Sequence, residues 1–149
     1  MNSNDIIKHV HELDWNYPIE IQNNAINVLS KIDVEYIDLI FDKNLKSTWE
    51  NAVKVIGQIG FPKNETVLSN LVWLLQDVNW PGVTQAIEIL SSIEKKFLIP
   101  IIENALIIAE ASNDTMWIAG INLLIKKVGY SCVDFSDEKI FELLGDGDF

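Results

Sequence analysis

A short pattern recurs four times along these 149 residues. Ala25-Ile26-Asn27-Val28-Leu29, Ala52-Val53-Lys54-Val55-Ile56, Ala86-Ile87-Glu88-Ile89-Leu90 and Gly120-Ile121-Asn122-Leu123-Leu124 each read small, aliphatic, polar, aliphatic, aliphatic. Their first residues stand 27, 34 and 34 positions apart. A period in the thirties marks stacked helical hairpins, in which no unit buries its apolar face alone. The pattern therefore predicts an all-α chain, a right-handed α-solenoid of about four hairpins forming one domain over residues 1–149.

The four segments read as second helices of the hairpins. Ala25, Val28, Leu29 and Ile32 recur at i, i+3, i+4 and i+7, as do Ala52, Val55, Ile56 and Ile59, so each set makes one apolar stripe. First helices are expected over Val34 to Lys46, Glu65 to Gln76 and Phe97 to Ala111, the last kinked or started by Pro100. Asp5 to Leu13 predicts an N-terminal capping helix, and Ser136 to Leu144 a closing one with Ser136 as cap. Gly60 and Gly129 follow helices as terminating glycines do.

The helix starts are of two alternating kinds. Repeats one and three share Asp-x-Asn-aromatic-Pro, as Asp14-Trp15-Asn16-Tyr17-Pro18 and Asp77-Val78-Asn79-Trp80-Pro81. Asp and Asn suit N-caps, and Pro suits a first turn because it lacks a donor. Repeats two and four start at Ser47-Thr48-Trp49-Glu50 and Asp114-Thr115-Met116-Trp117, where Ser47 and Glu50 have capping-box spacing.

Leu98-Ile99-Pro100-Ile101-Ile102-Glu103-Asn104-Ala105-Leu106, the Asn113-Asp114 turn and Met116 to Gly129 resemble a HEAT repeat. That family carries a mid-helix proline, an Asp-containing turn and a second helix of small and aliphatic residues before a glycine. Leu71-Val72-Trp73-Leu74-Leu75-Gln76-Asp77-Val78-Asn79-Trp80-Pro81-Gly82 resembles the signature of a small bacterial HEAT-like family of unassigned function. The arginine typical of HEAT second helices is missing throughout, and with it the Asp–Arg ladder that commonly links such repeats.

Charge narrows the partner. The net charge is −11, every one of the eleven basic residues is a lysine, and the pI is near 4.4. Phosphate-rich partners are repelled by such a chain, so neither nucleic acid nor an anionic membrane is expected. A basic protein is favoured. Acidity also serves plain solubility. The lone Cys132, the absence of a long apolar run and an N-terminus unlike a signal peptide predict a cytoplasmic protein.

Chemistry-bearing motifs are absent: no Ser-His-Asp set, no glycine-rich phosphate loop and no Cys/His metal spacing. His9 and His11, two positions apart on a helix, point about 200° from each other and share no metal from one face. Cys132 reads as an inert thiol. Gly145 to Asp148 resembles part of a calcium loop but lacks its ligand spacing. No catalytic residue, metal or cofactor is expected, and the chain is not read as an enzyme.

Three surfaces are candidates for partner binding. Asp14, Asn16, Tyr17, Trp49, Asp77, Asn79, Trp80 and Trp117 lie at turns or helix starts, where aromatics serve as anchors or as caps and staples. Asn24, Asn51 and Gln85 form one polar column of the second helices, and Asn27, Lys54, Glu88 and Asn122 another. Glu35, Asp38 and Asp42 make an acidic stripe, and Asp134, Asp137, Glu138, Glu142, Asp146 and Asp148 an acidic C-terminal end. The leading expectation is a non-enzymatic protein-interaction module, in its sharpest form a bacterial immunity-type inhibitor covering the basic active site of a toxin. The alternatives are a structural or assembly scaffold, and a helical-repeat enzyme or small-ligand binder with a tryptophan-lined pocket and Asp77 or Glu88 as acid.

Overall fold

The computed structural model describes residues 1–147, which are all-helical and contain no strand. None of the described helices is long and apolar enough to cross a membrane. Contacts divide the chain into two compact units, Met1–Leu68 and the part from Ser69 onward.

In the first unit, α1 (Ser3–His11) opens on a capping box, with Asn2 Oδ1 accepting the Asp5 N–H at 2.9 Å and the Asp5 carboxylate accepting the Asn2 N–H. Its inner face buries Ile6 and Val10, and Leu13 follows in the core. The helix α2 (Ile19–Leu29) packs against both α1 and α3 (Trp49–Ile59). Ala25 and Ala52, the small heads of the first two repeats, are fully buried, as the stripe requires. Gly60 ends α3 at φ 77°.

The helix expected over Val34 to Lys46 does not form. A 3₁₀ turn (Val34–Leu39) and a shorter one (Lys46–Thr48) bracket a non-helical stretch. Asp42 is the cause: its carboxylate takes the Asn44 N–H at 2.8 Å and its carbonyl takes the Trp49 indole N–H at 2.9 Å. Local Asp and Asn bonds of this kind compete with the helical ladder. Phe41, stacked on Trp49 with ring centroids 5.8 Å apart, fixes the segment to the core.

The second unit holds most of α4 (Leu68–Trp73), which is flanked by 3₁₀ turns at Glu65–Val67 and Leu74–Gln76, so the expected helix over 65–76 is present as three joined pieces. Then follow α5 (Val83–Ser91), α6 (Lys95–Ala111), α7 (Thr115–Val128) and the short α8 (Glu138–Glu142). The helix α6 starts at Lys95, two residues before the expected Phe97, and runs through an exposed Pro100. Pro100 lies in the second turn, so its missing N–H costs α6 one early bond of the ladder. Asp114 caps α7 by accepting the Trp117 N–H at 3.0 Å, and Gly129 ends it in the left-handed region at φ 75°.

Against α7 lie α5, α6 and the Leu74–Gln76 turn. The last approach is close enough that a β-carbon on Gly120 would stand 1.9 Å from the Leu75 carbonyl oxygen. The cap of α8 is Asp137, which accepts the Lys139 N–H at 2.8 Å, and not Ser136. Ser136 instead gives its hydroxyl proton to the buried carboxylate of Glu103.

Candidate functional site

The segment joining α1 to α2 is held by more hydrogen bonds than a surface turn needs. The Asp14 carboxylate accepts the Asn16 N–H at 2.8 Å and the Ser47 hydroxyl at 2.6 Å. The Trp15 N–H donates to the Ser47 carbonyl at 3.2 Å. From below, the Gln22 amide donates to the carbonyls of Trp15 (3.2 Å) and Tyr17 (2.7 Å). The Asn51 amide donates to the Leu13 carbonyl (2.7 Å) and to Gln22 Oε1 (2.9 Å). Gln22 and Asn51 are both 8% exposed, so these bonds are made away from water, where an unmade one is costly.

What this clamp displays is apolar. Trp15 is 49% exposed, Tyr17 43% and Ile19 59%. Large side chains on a pre-fixed backbone are the usual form of a binding anchor, because ordering them costs little at the moment of contact. Replacing Asn51 by alanine strands the Leu13 carbonyl and Gln22 Oε1 and is expected to lower stability by about 2 kcal/mol, read from urea denaturation. A variant within measurement error of the parent would show that the clamp carries no energy.

The two Asp-x-Asn-aromatic-Pro motifs are not side-chain caps, as their residue types led one to expect. Asp14 and Asp77 each turn back on the Asn N–H two residues on, at 2.8 and 2.9 Å, leaving Pro18 as the uncapped residue before α2 and Gly82 as that before α5. Short polar side chains favour such turns. Each turn leaves its intervening residue in solvent, Trp15 in one and Val78, 46% exposed, in the other. Trp80 is half-buried and packs on Trp73 at 5.2 Å.

The Ser47 hydroxyl first, and the Asn16 N–H second, hold the Asp14 carboxyl below its ordinary value. A depressed carboxyl contributes stability that is present above the unfolded carboxylate value near 3.8 and is lost as pH falls through the folded one. Stability should therefore drop on acidification below about pH 4, and less so in Asp14→Asn, as followed by thermal melts across pH. Parallel profiles for the two proteins would remove Asp14 from this role.

The remaining candidates are scattered. Trp49 (4% exposed) and Trp117 (7%) are core residues whose indole N–H groups donate to the Asp42 and Val72 carbonyls, both at 2.9 Å. Both act as staples, tying their helix starts to the backbone of other segments. The expected capping box fails in its first member, since Ser47 serves Asp14 and Thr48 precedes α3 without a side-chain cap. The columns are not uniform: Asn24 is exposed, Gln85 half-buried and Asn51 buried, while Asn27, Lys54 and Glu88 are exposed and Asn122 is half-buried. Glu35 and Asp38 are exposed and Asp38 accepts the Thr66 hydroxyl, but Asp42 lies beyond the 3₁₀ turn and shares no helix stripe with them.

At the C-terminal end Asp134 pairs with Lys95 at 2.6 Å, and Lys95 also sits 5.4 Å over the Tyr130 ring. Asp148 lies outside the described residues. Burial, then Glu138 and Glu142, push the Cys132 thiol up and keep it protonated. His9 Nδ1 faces Glu12 Oε1 at 2.9 Å, and no cluster of His, Cys, Asp and Glu among the described residues could hold a metal.

A hollow of about 330 Å³ in the first unit is lined in part by Ile6, Val28 and Tyr36. A second, of about 620 Å³, lies at the C-terminal end of α7 against Tyr130 and Phe141. A third, of about 250 Å³, runs along α7 beside Val78. No tryptophan lines any of the three.

Gln22 was missed by sequence reasoning, although a signal existed: it shares the i, i+3, i+7 stripe of Ala25 and Leu29, and a polar residue on a buried stripe needs a partner inside. No family model, no curated protein and no solved structure matches the chain.

Proposed function

We propose that the chain is a non-enzymatic protein-binding module whose first contact with its partner is made by Trp15, Tyr17 and Ile19. The single observation carrying this reading is the clamped turn, in which two buried amides are committed to fixing a backbone whose side chains face solvent. The net charge of −11 favours a basic partner and speeds its association at low ionic strength. In its sharper form the module is an immunity-type inhibitor that covers the basic active site of a toxin. Its architecture, on this reading, is a solenoid of four HEAT-like hairpins, supported by the resemblance of residues 98–129 and by the pairing of α2 with α3 and of α5 with α7 within their units.

The test is capture of partners from the host lysate by the tagged chain at low and high salt, read by mass spectrometry. A basic protein recovered at low salt by the parent and lost by the Trp15→Ala, Tyr17→Ala double variant supports the reading. Recovery of the chain alone, with concentration-dependent self-association on a sizing column, would sink it in favour of a scaffold.

A further inference from the structure

The hollow of about 330 Å³ in the first unit has apolar walls and charged groups among its lining. Ile6, fully buried, lies at its base. Val28 and Ile32, four residues apart across the end of α2, are half-buried and make one wall. Asn27 and Lys31 repeat that spacing one residue earlier, so an amide and an ammonium line the α2 side. On the other side is the 3₁₀ turn Val34–Leu39, from which Asp33 and Tyr36 line the hollow. The Tyr36 N–H donates to the Asp33 carbonyl at 3.0 Å. Residues three apart in such a turn eclipse, which sets the carboxylate and the phenol on one side.

None of these four polar side chains is committed elsewhere. Among the described residues no hydrogen bond or ion pair engages the side chain of Asn27, Lys31, Asp33 or Tyr36. Asp33 departs from the habit of the chain. Asp14, Asp42, Asp77, Asp114 and Asp137 each open a turn or a helix, and each accepts a backbone N–H two or three residues on. Asp33 heads its turn with extended backbone, φ −66° and ψ 144°, the setting in which Asp caps, and makes no such bond. Nor does it pair with Lys31, two residues away on the same hollow. A cation and an anion held apart over an apolar cavity suit a ligand that carries both charges and an apolar body.

We propose that this hollow binds a free α-amino acid with an apolar side chain. At about 30 Å³ per water, it holds a ligand of roughly ten non-hydrogen atoms, the size of leucine, methionine or phenylalanine. The ligand's carboxylate meets the Lys31 ammonium and the Asn27 amide, while its ammonium meets the Asp33 carboxylate and the Tyr36 hydroxyl oxygen. Bonds to ionised groups are the stronger kind. Its side chain covers Ile6, Val28 and Ile32, removing apolar surface from water. A simple carboxylic acid or a simple amine leaves one of the two protein charges without a partner, and that loss discriminates against it. The site lies within the first unit, shares no residue with the Trp15 turn and does not rest on the protein-binding reading.

The test is calorimetric titration of the full chain with L-leucine, L-methionine and L-phenylalanine. At least one is expected to bind at a single saturable site. The amide and the N-acetyl derivative of that amino acid each lack one charge and should bind at least roughly tenfold more weakly. Lys31→Met should lower affinity for the amino acid by a similar factor and leave that for the amide within about twofold, because the carboxylate that Lys31 meets is already gone. Asp33→Asn should behave likewise toward the N-acetyl derivative. Lys31 and Asp33 are both exposed, so an unshifted melting temperature serves as the folding control. Binding of none of the three amino acids, equal binding of either derivative, or an equal loss of amino acid and amide in Lys31→Met would overturn the proposal. The Trp15→Ala, Tyr17→Ala double variant should bind the amino acid as the parent does, so this proposal and the protein-binding reading can each fail alone.

Discussion

Gly120→Ala should lower the stability of the chain by about 3 kcal/mol, against a repeat pattern that recommends the substitution. Alanine heads the other three repeats, and Ala25, Ala52 and Ala86 are each fully buried. Helix propensity alone favours alanine over glycine by about 1 kcal/mol. Packing reverses the sign. The new β-carbon would stand 1.9 Å from the Leu75 carbonyl oxygen, 2.9 Å from its carbon and 3.2 Å from the Leu75 β-carbon. The first two of these are backbone atoms and cannot rotate aside.

Relief requires α7 to lift off the Leu74–Gln76 turn, which puts at risk the buried bond from the Trp117 indole to the Val72 carbonyl and the packing of Ile121 and Leu124. Gly145→Ala, where a β-carbon meets nothing within 4 Å, is the control and should change stability by under about 0.5 kcal/mol. Urea melts followed by tryptophan fluorescence measure both. If Gly120→Ala matched the control, α7 would not sit as closely on Leu75 as described.

The same glycine shows what periodicity reveals and what it hides. All four repeat segments are helical, and the burial of their small heads follows from spacing alone. The glycines at 60 and 129 stop helices because their positive φ angles suit no other residue as well. Failure came where a local bond competed with the ladder, as with Asp42 inside the expected Val34–Lys46 helix. It came again where a bond spans a long stretch of chain. Asn51 looked like one rung of a polar column with Asn24, yet its partners are Leu13 and Gln22, and no pattern in the sequence joins residues so distant. Ser47 likewise fits a capping box locally and serves Asp14 instead. The clamp was therefore illegible, and of the large side chains it displays only Tyr17 was visible, as the aromatic of Asp-x-Asn-aromatic-Pro, while Trp15 stood at the motif's unassigned position.

That division of labour makes the turn separable by mutation. Trp15→Ala with Tyr17→Ala should weaken partner binding by about 3 kcal/mol, on the order of 100-fold, and change stability by less than about 1 kcal/mol. Both side chains are already more than two-fifths in water, so their removal leaves little cavity in the core. Asn51→Ala leaves the aromatics in place and loosens the backbone beneath them. Backbone ordering costs about 1–2 kcal/mol per residue, so a released turn must bear part of that cost on binding. Asn51→Ala should therefore lower stability and affinity together, and the double variant affinity alone. Calorimetric titration of the captured partner into all three proteins, beside their urea melts, reads both quantities. Affinity of the double variant within about threefold of the parent would remove the turn from the interface. Equal affinity of Asn51→Ala and the parent would leave the anchors standing and show that pre-fixing them contributes nothing.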